Sequence, residues 1–150
     1  MLLFRLFLLL AATGLLFAAE PGFPAHFVGG TLAGIPANSS ARLDLSGPET
    51  LLFHCRGRTV TIAYQKIETI EYGQKVSRRY AEAVLISPML LLSKSRKHFV
   101  TIGYLDPAGA QQALVMRVPK GDIRSLLASL EARTGRRVEF LDDNARRGGQ

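Results

Sequence analysis

Alternation of apolar and polar positions between residues 59 and 72 is the clearest local pattern in the chain. The apolar members fall into two runs, first Val60, Ile62 and Tyr64, then Ile70 and Tyr72. A period of two is typical of strands that bury one face. Ile67 lies between the runs, where we expect it to fill the corner between two consecutive strands. This stretch therefore predicts the nucleus of an antiparallel sheet.

Short strands and turns are predicted before this stretch. The expected strands are residues 27–35, residues 42–45 and a strand with Leu51, Phe53 and Cys55 on one face. Between them lie the Pro-, Gly-, Asn- and Ser-rich turns 36–40 and 46–49, and the tight connection 56–58 leads into the central stretch. Turn signals at this regular spacing favour a meander over β-α-β units.

A hairpin and one helix are predicted in the C-terminal half. Residues 99–105 and 112–118 alternate on either side of residues 106–109, whose Asp, Pro and Gly suit a type I turn. The helix is expected to start with Asp122 as its N-cap, and Gly135 suits its C-terminal cap. Its apolar residues, Ile123, Leu126, Leu127 and Leu130, have the spacing of one buried helix face. A final strand over 137–141 and a flexible polar tail over 142–150 complete the prediction.

The first 19 residues have the pattern of a secretory signal peptide. Arg5 is followed by 14 residues without charge, which is short for a membrane span of about 20 residues. Ala18 and Ala19 precede Glu20, as a signal-peptidase site requires. We expect export to the periplasm or the medium; the alternative is an uncleaved N-terminal anchor. Residues 20–26, which contain two prolines, are expected to be an extended lead-in.

An apolar block flanked by basic residues interrupts the strand pattern at residues 80–92. Its 13 residues are too few to span a bilayer, and Pro88 would break a helix within it. The candidate contact residues are Lys75, Arg78, Arg79, Met89, Leu90, Leu91, Leu92, Lys94, Arg96 and Lys97. Three interpretations remain open. The block packs under the sheet, dips into an anionic membrane whose headgroups meet the basic residues, or docks on an envelope protein.

These elements together resemble bacterial pleckstrin-homology-like (PH-like, GRAM-like) domains. The resemblance covers residues 27–141 and is carried by residues 59–64, by Ile67 and Ile70, and by the predicted helix. It implies a mainly β (α+β) fold, a small bent antiparallel barrel or sandwich of about seven strands with one C-terminal capping helix. It also implies that loops between strands bind lipids or proteins. The apolar block and the signal peptide depart from this pattern.

Composition limits the chemistry that the chain can perform. The net charge is +7 and falls to +6 once Arg5 is removed, which favours anionic surfaces as partners. Cys55 is the single cysteine, so no disulfide forms within the chain, and its neighbour His54 points to the opposite face of a strand. Aromatic residues are not interleaved with the basic cluster, which argues against nucleic acid.

No catalytic or cofactor motif stands out from the rest of the chain. Gly29 and Gly34 have phosphate-loop spacing but lack the following Lys-Ser/Thr, and adjacent Asp142 and Asp143 form no acid–base motif. The three histidines show no metal-ligand spacing. We therefore expect a binding module without enzymatic activity, cofactor, metal or small-molecule substrate. It would bind an anionic lipid surface or, alternatively, an envelope protein.

Overall fold

The computed structural model describes residues 21–81 and 97–149 and shows a mainly β protein. Its strands are β1 (Phe23–Gly30), β2 (Ser39–Asp44), β3 (Thr50–Cys55), β4 (Arg58–Ala63), β5 (Ile67–Gly73), β6 (Phe99–Leu105), β7 (Gln111–Arg117) and β8 (Val138–Phe140). The helices are a single turn, α1 (Arg78–Ala81), the longer α2 (Ile123–Thr134) and α3 (Asp143–Gly149). A short 3-10 helix (Tyr64–Lys66) separates β4 from β5.

All eight described strands belong to one sheet, in the order β4-β3-β2-β1-β7-β6-β5-β8. Two antiparallel meanders make up most of it, one from β1 to β4 and one from β5 to β7. The antiparallel pairing of β1 with β7 joins the meanders, with His26 opposite Arg117. Hydrogen bonding does not close the sheet into the expected barrel, because β4 and β8 are its two edges.

The corner at Ile67 shows that the sheet is strongly curled. A flat sheet would hold β4 and β5 about 29 Å apart, at six spacings of about 4.8 Å. The chain between Ala63 and Ile67 spans at most about 14 Å, so these two sides must approach one another. Ile67 is fully buried there, as the sequence predicted, but β4 and β5 do not pair with each other.

The main core lies between the inner face of the curled sheet and α2. Leu51, Phe53 and Cys55 all point into it, which confirms the predicted face of β3. The predicted apolar residues of α2, Ile123, Leu126, Leu127 and Leu130, are buried against the same core. Gly135 ends α2 in the left-handed conformation at φ 69°, as expected. Asp122 occupies the N-cap position but makes no side-chain capping hydrogen bond, so that part of the prediction is wrong.

A smaller apolar cluster covers the outer face of the sheet. It contains Val28, Tyr80, Phe99, Ala113 and Val115. Gly103 leaves room for the Tyr80 ring, because a side chain at this position would collide with the Tyr80 hydroxyl. That hydroxyl lies 2.6 Å from the hydroxyl of Thr69. The one-turn helix α1 is thereby fastened to β5 and β6.

Three further features differ from the sequence prediction. β1 begins at Phe23 and ends at Gly30, so most of the expected lead-in is strand and residues 31–38 form a loop. The final strand, β8, runs parallel to β5 instead of extending the antiparallel pattern. Residues 143–149, expected to be a flexible tail, form α3, in which Ala145 is buried.

The two-residue turn between β3 and β4 suits its hairpin. Arg56 and Gly57 both have positive φ, 49° and 76°. Cys55 pairs directly with Arg58 across the turn. This is the arrangement of a type I′ turn, whose twist matches that of the strands it joins.

Cys55 gives a direct test of the main core. Only 3% of the residue is exposed, and burial raises the pKa of its thiol. Because thiol reagents attack the exposed thiolate, Cys55 should react with a soluble aromatic disulfide only after denaturant is added. The absorbance of the aromatic thiolate that the reaction releases measures the labelling of Cys55 directly. Rapid stoichiometric labelling of the native protein would show that this strand face is not buried.

Candidate functional site

The described part of the chain contains four of the ten predicted contact residues. These are Lys75, Arg78, Arg79 and Lys97, and only the backbone of Arg78 is described. The others, Met89, Leu90, Leu91, Leu92, Lys94 and Arg96, lie outside the described residues. The predicted role of the apolar block therefore stays a prediction.

Arg79 is partly committed to an ion pair within the protein. Its guanidinium lies 3.6 Å from Oε1 of Glu71, a side chain that is only 2% exposed, whereas Arg79 itself is 57% exposed. Among the described residues, no hydrogen-bond donor reaches Oε2 of Glu71. The charge of Arg79 thus compensates a buried carboxylate and is less available to a partner than its sequence position suggests.

Lys97 lies in a shallow groove that the sequence analysis did not identify. The groove, here called the basic groove, is lined by His26, Lys97, His98, Arg117, Val118, Pro119 and Lys120. These residues come from β1, from the segment just before β6, and from the end of β7 with its following loop. Segments far apart in sequence therefore meet at one end of the sheet.

Strand register places these residues at that end. Arg117 pairs with His26 of β1 on one side and with Phe99 of β6 on the other. One residue further on, the Val118 amide donates to the carbonyl of His98 at 3.0 Å. Lys97 and His98 immediately precede β6, so they lie beside the last residues of β7.

The loop after β7 exposes Lys120. Pro119 has no amide hydrogen and cannot extend the ladder, and its carbonyl accepts the Asp122 amide at 3.0 Å in a turn towards α2. Lys120, at the tip of this turn, is exposed, and Arg117 is half-buried. The described acidic residues form no ion pair with Lys97, Arg117 or Lys120.

A core residue, Tyr72, fixes the position of the His98 ring. Its Nδ1 lies 2.6 Å from the hydroxyl of Tyr72, and the two rings stack with centroids 5.9 Å apart. Tyr72 is fully buried and contacts Phe140 edge-on at 6.1 Å. Burial lowers the pKa of His98, and the positive charge of Lys120 lowers it further, while Asp142 acts in the opposite direction. Burial and the neighbouring cation therefore favour the neutral imidazole over the imidazolium.

A second depression lies at the same end of the sheet. It is lined by Gln74, Lys75, Val76, Ser77, Leu141, Asp142 and Asn144. Asp142 connects its two sides, because Oδ2 accepts the Gln74 amide at 2.9 Å and Oδ1 accepts the Ala145 amide at 2.6 Å. Lys75 is exposed here, but it shares the depression with a carboxylate. The basic groove is therefore the better candidate for an anion.

The basic groove suits non-covalent binding of an anion. Three cations and a fixed imidazole can donate hydrogen bonds to phosphate, sulfate or carboxylate oxygens. Within the described ranges, no group of three or more His, Cys, Asp or Glu residues is placed to hold a metal ion. In those ranges, too, no helix has the length and hydrophobicity needed to cross a membrane.

The sequence contained a signal for this groove. The predicted turn at 106–109 fixes the hairpin register, and that register places Phe99 opposite Arg117. Lys97 and His98 then necessarily lie near Val118 and Lys120. His26 was not predictable in this way, because the pairing of β1 with β7 depends on the whole fold.

Neither a protein-family model nor a curated protein matches this sequence.

Proposed function

We propose that this protein is an exported, non-enzymatic binding module of PH-like architecture that attaches peripherally to an anionic membrane surface. The observation that carries the proposal is the basic groove, where Lys97, Arg117 and Lys120 converge without an acidic partner among the described residues. An uncompensated cationic groove at the end of a sheet has a strong preference for anionic surfaces. The charge-free run after Arg5 supports export.

Two features of the fold support the PH-like part of the proposal. The sheet consists of consecutive antiparallel meanders that curl at Ile67, and α2 packs its four apolar residues against the inner face. A curled sheet capped by a C-terminal helix is what the resemblance implies. The open edges at β4 and β8 make it an unclosed form of that architecture.

The apolar block would add a second attachment point close to the groove. Leu92 is only five residues before Lys97 in the sequence. Apolar side chains of the block would enter the interface while Lys97, Arg117 and Lys120 meet lipid headgroups. The block and the groove would thus act on the same membrane surface.

The size of the electrostatic effect makes the proposal testable. A basic residue near an anionic membrane contributes about 1 kcal/mol. Replacing both Arg117 and Lys120 by glutamate should therefore weaken binding at least thirtyfold, or by about 2 kcal/mol. Raising salt from 0.1 M to 1 M should have a similar effect on the wild type, because the Debye length falls from about 10 Å to about 3 Å.

Co-flotation of the full-length chain with liposomes measures this loss. The R117E/K120E variant is compared with R124E/R136E, which has the same net charge but changes exposed residues outside the groove. Every sample carries the same residues 1–19, so differences in flotation between the variants report on the substituted side chains. Anionic vesicles should bind the wild type and R124E/R136E, but not R117E/K120E. Equal flotation of all three, or flotation that does not depend on lipid charge, would refute the membrane proposal.

A further inference from the structure

We propose that the basic groove is a binding site for a single phosphate group, and that ligand binding is coupled to protonation of His98. The inference rests on the proposed function, since it names the chemical group that the groove recognises at the membrane. A phosphomonoester fits best, because its charge of −1.5 to −2 at neutral pH exceeds that of a phosphodiester. The source would be either a lipid headgroup or a soluble phosphate ester.

The arrangement of cations favours a compact ligand over a diffuse surface. Lys97 approaches the groove from the segment before β6, and Arg117 and Lys120 approach it from the end of β7 and the turn that follows. His26 on β1 lines the opposite side, next to its strand partner Arg117. One tetrahedral anion between these side chains would accept hydrogen bonds from several directions at once.

His98 differs from the surrounding basic residues because its ring is fixed. The Tyr72 contact occupies Nδ1, and stacking on the same tyrosine sets the plane of the ring. When the tyrosine hydroxyl donates to Nδ1, the hydrogen of the neutral ring resides on Nε2. His98 lines the groove, so Nε2 is the ring nitrogen that remains for a ligand. Among the described residues, Nε2 has no partner, so a ligand oxygen would be its acceptor.

The charges around His98 explain why binding should take up a proton. Lys97, Arg117, Lys120 and His26 line the groove, while the Tyr72 hydroxyl contacts the His98 ring and the negative charge of Asp142 acts on it. Burial and Lys120 disfavour the imidazolium in the free protein, and so keep its pKa low. An anion would offset the charge of Lys120 and directly favour the protonated ring, so the pKa of His98 should rise on binding. The added proton would reside on Nδ1, which would then donate to the Tyr72 hydroxyl instead of accepting from it.

NMR titration of the full-length protein tests the phosphate site. The ring signals of His98 are followed against pH in inorganic phosphate and in sodium chloride of equal ionic strength. Phosphate should produce a saturable shift and raise the pKa of His98, while His54, which contacts Thr59 on the β3–β4 hairpin, serves as an internal reference. R117E/K120E should lose the saturable shift. A shift that appears equally in chloride, or that does not saturate, would overturn the proposal.

Two variants and a second anion isolate the coupling to His98. Sulfate remains a dianion between pH 5.5 and pH 8, so changes in its affinity over that pH range report on the protein alone. Its affinity for the wild type should increase roughly threefold or more between pH 8 and pH 5.5. H98N should bind sulfate with an affinity that no longer varies in this way, whereas H54N should behave as the wild type. Retention of the full pH dependence by H98N would show that His98 is not the coupled group.

Vesicles separate the two possible sources of the phosphate. Flotation is compared on vesicles that contain phosphatidic acid or phosphatidylglycerol, matched in surface charge. Preference for phosphatidic acid supports a lipid headgroup as ligand, and equal flotation with saturable phosphate binding supports a soluble ester. Flotation on both vesicles without saturable phosphate binding would overturn the phosphate site and leave the proposed membrane attachment intact. Saturable phosphate binding without any flotation would retain the site and refute the membrane attachment.

Discussion

Replacing Phe53 by alanine should lower the free energy of unfolding by about 3–5 kcal/mol. Phe53 has no exposed surface, and its ring lies 6.0 Å from that of Phe27 at an angle of 50°. The substitution would remove buried apolar surface and leave a cavity between β3 and β1, where the curled sheet is closely packed. Since a domain of this size is stable by about 5–15 kcal/mol, this is a large fraction of the total. Urea denaturation followed by circular dichroism measures the change.

Phe23→Ala is the matched control for this prediction. Phe23 lies on β1, the strand that also carries Phe27, but it is only partly buried against the same core. The same chemical deletion should therefore cost less than half as much. Equal losses for the two variants would show that the core is not centred on β3.

Asp142→Ala should lower the free energy of unfolding by about 1–3 kcal/mol. One carboxylate oxygen accepts the Ala145 amide near the start of α3, and the other accepts the Gln74 amide beyond the end of β5. Loss of both bonds would uncap α3 and detach it from the sheet. Asp142→Asn, which retains only one acceptor oxygen, should fall between the wild type and the alanine variant.

The adjacent Asp143 provides a control of equal charge. Asp143 is exposed and lies in the first turn of α3, where a carboxylate contributes only a few tenths of a kcal/mol. Asp143→Ala should therefore change stability by less than about 0.5 kcal/mol. If the two alanine variants lost equal stability, overall charge rather than these two hydrogen bonds would explain the effect.

Local patterns predicted the elements that bury one face. The alternation around Phe53, the helical spacing of Leu126 and Leu130, and the turn at residues 106–109 each specify a structure within a few residues. In these cases buried and exposed positions alternate with the side-chain period of the strand or helix. The structure confirms the faces and the turn for that reason.

Pairing between distant segments was beyond the reach of the same patterns. β8 has only three residues, and its parallel register beside β5 depends on where α2 ends relative to the sheet. Similarly, α3 has little apolar surface of its own and is held by Asp142 and the burial of Ala145. Sequence alone showed two adjacent aspartates without indicating that one of them binds two amides.

The candidate site was predicted only in part for a related reason. Basic residues close together in sequence drew attention to Lys75, Arg79 and Lys97. The structure gives Arg79 a buried carboxylate partner and places Lys97 with Arg117 and Lys120 instead. Local charge density was therefore a weaker guide than hairpin register.

The junction between the two meanders has a consequence for folding kinetics. Each meander contains mainly local contacts and can form early, but β1 and β7 can pair only after a long loop has closed. His26 reaches Arg117 only across this pair, so the basic groove is complete only after the meanders have joined. An anion that contacts both His26 and Arg117 would bridge the two meanders, so it should slow their separation while leaving the rate at which each meander forms unchanged.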